Sequence, residues 1–277
     1  MRLPLTRRTW LLSAASWALA GSGRLSAQST GSAGNQTGNQ TGMLRVGLLD
    51  AEGVNRVALE VAQTAMQLRF AVQMITPRDV QSGALVGLAA LVVTGGRASR
   101  QGRALGDVGR EAIRQFVHSG GGYVGICAGS YLAMQRPHDS TEESYKAAFV
   151  ALEHGTGDAW QRGIAPVRVG PLDGSPSCVL HYANAPIFHP HEVRGLPTPR
   201  VLARFEEEIF LERAGTHSGE MTGTPAIIAT HFGAGQVVLF SPNPTMAPAQ
   251  TDLFVHAIAR VASRQPVMAY RALWALE

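Results

Sequence analysis

From residue 44 to about residue 134, short blocks of consecutive apolar residues alternate with stretches in which apolar positions recur every three or four residues. Leu44-Arg45-Val46-Gly47-Leu48-Leu49 reads as a strand ending at Asp50. Asn55 then reads as the N-cap of a helix carrying Val57, Val61, Ala65 and Leu68 at helical spacing. Ala71 to Ile75 predicts a second strand, closed by Thr76-Pro77. Leu88 to Val93 predicts a third, buried on both faces and ending in the turn Thr94-Gly95-Gly96. A helix over about Asp107 to His118, with Val108, Ile113, Phe116 and Val117 mostly on one side, leads into the strand Gly122-Tyr123-Val124. This alternation predicts an α/β fold, a mostly parallel sheet with helices on both faces.

Beyond Met134 the pattern loosens. A polar helix is expected near Ser140 to Leu152, followed by Pro- and Gly-rich segments around Val167-Arg168-Val169 and Cys178 to Tyr182. Pro225 to Thr230 and Gln236 to Phe240 have strand patterning on either side of Phe232-Gly233-Ala234-Gly235, which predicts a β-hairpin. A helix near Pro248 to Ala262 follows, and residues 265–277 read as an apolar tail packed on the surface or on a partner.

The chemistry concentrates where the fourth strand runs into Gly125-Ile126-Cys127-Ala128-Gly129. A strand entering G-x-C-x-G and then a helix is the cysteine form of a nucleophile elbow, a tight turn that lifts one side chain clear of the sheet. At a helix start, unpaired N–H groups favour a thiolate and also hold an oxyanion. Gly95-Gly96 ends the neighbouring strand, so two glycine turns define a crevice at the carboxyl edge of the sheet, where open α/β sheets bind ligands. The alternative is that the glycines only let strand and helix pack closely, with Cys127 a small buried hydrophobe.

Charge changes the picture once the first 27 residues are set apart. Thr6-Arg7-Arg8-Thr9-Trp10-Leu11-Leu12, a short apolar run to Ala20 and Leu25-Ser26-Ala27 read as a twin-arginine signal peptide, so an exported, periplasmic protein that meets the twin-arginine machinery is expected. The run is too short to span a bilayer comfortably, which argues against permanent membrane insertion. Four of the 24 Lys and Arg lie in this leader, leaving 20 against 20 Asp and Glu, so a nucleic-acid partner loses its main support. Residues 28–42, with a repeated Gly-Asn-Gln-Thr, read as a flexible linker, and 43–264 as one domain. Two cysteines, Cys127 and Cys178, give neither a disulfide framework nor a thiolate metal site, and in an oxidising compartment the remaining alternative is that they pair with each other.

Thr94-Gly95-Gly96, Gly120 through Tyr131, Cys178 to Phe188 and Gly233 through Pro244 follow one another in an order that resembles the N-terminal domain of eukaryotic biotin protein ligases, a branch of the class I glutamine amidotransferase-like superfamily. The resemblance covers roughly Leu44 to Thr245. It implies a flavodoxin-like fold with Cys127 as nucleophile, and no cofactor. It does not imply ligase activity, which would need a catalytic domain for which this chain has no room. In class I amidotransferases the last strand of this region leads into His-Pro-Glu, the base and its orienting carboxylate, whereas this chain reads Asn243-Pro244-Thr245. An amide cannot take a proton from a thiol at neutral pH, so standard glutaminase activity is not expected.

The remaining candidates are weighed from their positions. His181, His189 and His191 surround Tyr182-Ala183-Asn184-Ala185-Pro186, which matches the family's loop near the elbow, so one of them could stand in as base or all could be solvated. His231 belongs at the far end of the hairpin, well over about 10 Å from Asn243. A metal at His189, His191 and Glu192 lacks further ligands at a recognisable spacing. Asp50 and Glu52 either reach the crevice or cap a helix; Arg97, Arg100 and Arg103 either attract an anion or form a solvated loop. The expected site is Cys127 with the N–H groups of Gly96 and Ala128 as oxyanion hole, and Gly95, Asp50, Tyr182, Asn184 and Asn243 around a small-molecule ligand. The expected activity is a cysteine-dependent hydrolase or amidase on a small amide or acyl compound; the alternative is a binding module for a small molecule or a cell-envelope component.

Overall fold

The computed structural model describes residues 42–135, 144–154, 163–209 and 220–263. The leader, most of the linker and the apolar tail lie outside them.

The expected apolar blocks are strands: β1 (Arg45–Leu49), β2 (Ala71–Ile75), β3 (Ala90–Val93), β4 (Gly122–Ile126), β10 (Pro225–Phe232) and β11 (Gly235–Phe240). Between the first four lie the helices α1 (Arg56–Gln67), α2 (Pro77–Gln81) and α3 (Ala98–His118). After β4 come α4 (Ala128–Ala133) and the strands β5 (Leu152–His154), β6 (Ile164–Pro171), β7 (Cys178–Ala183), β8 (Phe188–Pro190) and β9 (Arg200–Phe205), with α5 (Thr251–Ala262) after β11. The main sheet runs β2-β1-β3-β4-β11-β10-β9-β6-β7, and β5 pairs with β8 in a separate antiparallel sheet.

The sheet has two parts. β2, β1, β3, β4 and β11 are mutually parallel, and every residue of β3, β4 and β11 is buried, as expected of strands covered on both faces. From β11 outward the pairing turns antiparallel, beginning with the expected hairpin to β10. There β7 buries Leu180 and Tyr182 and leaves Val179, His181 and Ala183 half-buried, the alternation of a strand with one covered face.

Three sequence expectations change. Asn55 does cap α1, its Oδ1 accepting from the Ala58 N–H at 3.1 Å, but the helix buries Ala58, Leu59, Ala62 and Met66. Val57 and Leu68, from the expected stripe, are exposed, so the true face is turned by one residue, about 100°. Val108 is likewise exposed, while Ile113 and Val117 are buried; α3 begins at Ala98 and kinks at Gly106 (φ 59). The polar helix near Ser140 to Leu152 is not formed where it is described. Residues 144–149 take no regular element, and Leu152 opens β5, whose backbone pairs with β8; Ser140 to Glu143 lie outside the described residues.

Candidate functional site

Chain order around β4 builds the site. β3 ends at Val93 and runs into Thr94-Gly95-Gly96; β4 ends at Ile126 and runs into Cys127; β11, on the other side of β4, ends at Phe240 and runs into Ser241-Pro242-Asn243. Three parallel carboxyl ends therefore surround one point, beside the place where the order reverses between β1 and β3.

At that point Cys127 has φ 49 and ψ −98, a conformation L residues seldom adopt and one that costs on the order of 1–3 kcal/mol. Its neighbours enforce it. The Cys127 N–H donates to the Phe240 carbonyl (2.9 Å), and the Ser130 hydroxyl lies 2.8 Å from the same carbonyl and 3.0 Å from that of Gly125. A Cβ on Gly129 would fall 2.1 Å from the Val93 carbonyl oxygen, and one on Gly125 2.8 Å from Gly129. Close packing of strand on helix is thus one purpose of the two glycines, and it coexists with a thiol that is only partly covered.

Two backbone N–H groups, of Gly96 and Ala128, lie against the Cys127 sulfur. Gly96 has φ 139, and a Cβ there would lie 2.1 Å from the Gly53 carbonyl oxygen, so only glycine lets its N–H face the thiol. These donors favour the thiolate, but burial outweighs them and pushes the thiol up to about 11. The expectation that a helix start would favour the thiolate is therefore reversed: α4 is six residues long, and desolvation is the larger effect. No disulfide joins Cys127 and Cys178.

Cys127 opens into a cleft of about 160 Å³ walled by Gly95, Gly96, Ser241 and Asn243 on the parallel side and by His181, Ala183 and Ala185 from β7 and the turn after it, with Asn55 and Met246 at its edge. A backbone bridge joins the two sides, the Asn243 N–H donating to the His181 carbonyl at 2.7 Å. The Thr245 N–H and hydroxyl both donate to Asn243 Oδ1 at 2.8 Å, which fixes the amide. Its Nδ2, bonded to no described residue, stands 3.3 Å from where a Cβ on Gly95 would be. The buried Ser241 hydroxyl also has no partner among the described residues. The Sγ of Cys127 is 4.0 Å from the Ala183 carbonyl.

Of the expected site residues, Cys127, Gly95, Gly96, Ala128 and Asn243 come together, and three do not. Tyr182 is fully buried, its hydroxyl donating to the Ala185 carbonyl (2.8 Å) and its ring edge-on to Phe205. Asn184 (φ 46) holds a turn, its Oδ1 accepting from the Gly163 N–H at 2.7 Å. Asp50 pairs with Arg56 at 2.6 Å, near the surface. On a strand, one-residue parity decides: Tyr182 faces the core, and His181 and Ala183 face the cleft.

His181 is thus the one of the three loop histidines that reaches the cleft wall. His189 and His191 flank Glu153 on the small sheet, His191 Nε2 at 3.4 Å from its carboxylate, and burial holds His189 below the usual histidine range. His231 is exposed and pairs with Gln236 at the opposite end of the hairpin from Asn243. Arg97 and Arg103 are exposed at the start of α3, and Arg100 there pairs with Glu52 at 3.4 Å. Ser241 follows β11 as Gly95 follows β3, so strand order would have found it; Ala185 and Met246 have no sequence signal.

Residues 50–146 match the family described as "Biotin-protein ligase, N terminal". Among solved structures the chain resembles a glutamine amidotransferase at 19% identity and a TM-score of 0.56, over 79% of this chain and 98% of that one. It also resembles a GMP synthase-type protein from Thermoplasma acidophilum at 16% identity and a TM-score of 0.50, over 80% of this chain and 95% of that one. A search of curated proteins finds no match. Residues 50–146 are therefore similar to the N-terminal segment of biotin protein ligases, and the fold is glutamine amidotransferase-like.

Proposed function

We propose that this protein is a cysteine-dependent amidase or hydrolase acting on a small amide or related acyl compound, with Cys127 as nucleophile and His181 as its proton acceptor. The observation that carries the reading is the strained turn at Cys127, whose sulfur meets the N–H groups of Gly96 and Ala128 in the same cleft that His181 walls. A thiol held up to about 11 is protonated at neutral pH, so attack needs a base within the cleft. His181 replaces the histidine that Asn243 displaces.

The reaction then runs in two steps. His181 takes the Sγ proton as sulfur bonds to the carbonyl carbon, and the carbonyl π electrons move to oxygen, where the N–H groups of Gly96 and Ala128 hold the negative charge. Collapse breaks the bond to the leaving amine, which takes the proton from His181, and leaves a thioester on Cys127. Water, losing a proton to His181, attacks the thioester; the acid departs and the thiolate recovers its proton. Asn243, its Oδ1 held by Thr245, donates Nδ2 to the bound acyl compound without moving protons.

Intact-mass spectrometry of the protein with a short acyl amide or activated ester tests this. The expected result is an acyl adduct on Cys127 that turns over, is absent in Cys127→Ser and is slow in His181→Asn. A thiol that forms no adduct, together with saturable ligand binding, favours the second reading, a binding module, to which the high thiol pKa and the fixed Asn243 amide also fit. Export is part of the proposal: residues 1–27 carry the twin-arginine pattern, and finding the protein in the periplasmic fraction only while the two arginines are intact tests it.

A further inference from the structure

We infer that the Cys127 cleft selects a small, uncharged carbonyl compound and rejects charged or zwitterionic ones, because its described walls offer fixed hydrogen-bonding groups and short apolar surface but no counter-charge. The inference rests on the proposed function for the reaction, though not for the selectivity.

Three observations lead to it. Among the described wall residues there is no Asp, Glu, Lys or Arg. The acidic and basic groups nearest in sequence are committed elsewhere or exposed: Asp50 to Arg56, Glu52 to Arg100, and Arg97 at the surface. Second, the polar groups present suit a neutral carbonyl and its amide. Asn243 is 7% exposed, with Nδ2 bonded to no described residue; Ser241 is fully buried, its hydroxyl without a partner among the described residues; and the N–H groups of Gly96 and Ala128 lie against the sulfur. Unsatisfied buried groups of this kind gain most from a ligand that supplies matching donors and acceptors.

Third, the cleft is small. Its volume is about 160 Å³. A short acyl amide fits, with its substituent against Ala183, Ala185 and Met246. An amino-acid amide would bring an ammonium and a carboxylate to described walls whose one titratable side chain besides Cys127, His181, is taken up by the proposed proton transfer, and an unpaired charge is far more costly to desolvate than an amide. The fold's resemblance to a glutamine amidotransferase therefore does not extend to a site suited to a zwitterion.

The test is charge-selective thiol modification of the full chain at pH 8.5. Hydroxyethyl, sulfonatoethyl and aminoethyl methanethiosulfonates have nearly the same reach and differ in charge. The rate at Cys127 is followed by peptide mapping, which separates it from Cys178, and each rate is divided by the reagent's rate with N-acetylcysteinamide. The neutral reagent is expected to lead both charged ones by about tenfold or more. A sulfonate or ammonium reagent within twofold of it overturns the inference, as does a Cys127 that none of the three modifies.

A second arm offers acetamide, propionamide, butyramide and glutamine, with ammonia release as the readout. Turnover of the short amides alone supports both proposals. Turnover of glutamine overturns the selectivity and leaves the catalytic reading standing. Selective modification with no turnover of any amide overturns the catalytic reading and leaves the selectivity standing.

Discussion

The two parts of the sheet contribute different things to one cleft. The parallel part, β3, β4 and β11, holds its residues in continuous burial and forces Cys127 into φ 49, with carbonyls and glycines leaving no room to relax. The antiparallel part, through β7, adds a wall whose alternate residues reach the cleft and bring an imidazole, His181, to it. Strain is held among fully buried strands, and an imidazole comes from a strand with one covered face. In the proposed reaction the parallel part supplies the nucleophile and the antiparallel part the base.

That comparison breaks first at the thiol. Cys127→Ser is expected to lower acyl turnover by at least about 10³-fold with little change in thermal midpoint, measured by adduct formation and calorimetry. An equal loss on the other side would come next: His181→Asn should lower turnover by about 10²–10⁴-fold. Its residual rate should rise with pH toward the thiol's titration near 11. If His181→Asn keeps both rate and profile, the antiparallel part supplies wall and no base.

Packing gives a prediction for the parallel part alone. Gly129→Ala places a methyl 2.1 Å from the Val93 carbonyl oxygen, so the backbone must shift, at a cost of about 1–3 kcal/mol or more. The thermal midpoint should fall by roughly 2–4 °C for each kcal/mol. An unchanged midpoint would mean that the turn at Cys127 is held by something other than this contact.

The smallest effects are in pH dependence, and they have opposite signs at two buried groups. Cys127 is raised in the folded chain from an ordinary 9.0 to about 11, so its contribution to stability is fully present below pH 9 and is lost as pH rises through 11. Lys146, buried beside the small sheet with its Nζ donating to the Gln135 carbonyl at 2.7 Å, is lowered by burial from 10.5 to about 8. Its contribution runs the other way, growing from pH 8 to pH 10.5 and lost as pH falls through 8. Denaturant midpoints measured across pH 7 to 11.5 should lose the alkaline decline in Cys127→Ala and the rise above pH 8 in Lys146→Met. A variant that leaves its branch in place removes that group from the account.

How far the sequence could be read follows the same division. β1 through β4, the Asn55 cap and the β10–β11 hairpin were legible because buried parallel strands are unbroken apolar runs and because caps and tight turns use few residue types. The covered face of α1 was missed by one residue, since Val57 and Leu68 carry the apolar signal while the small Ala58 and Ala62 make the contacts. The same one-residue error put Tyr182 and Asn184 in the cleft in place of His181 and Ala183. Parity on β7 depends on which neighbour covers it, and local composition does not state that. Around β5 the polar composition suggested a helix, yet pairing with β8 decided the conformation.

By itself, then, the sequence determined the alternating α/β plan, the turn that carries Cys127 and the asparagine, Asn243, that follows the last parallel strand, because each rests on residue type and spacing over a few positions. The tertiary structure alone decided that the thiol is pushed up to about 11, that Asn243 is fixed by Thr245, and that β7 turns His181 toward the cleft. Those properties come from burial and from contacts between segments far apart in the chain, and no local pattern encodes how much water a fold removes from one sulfur atom.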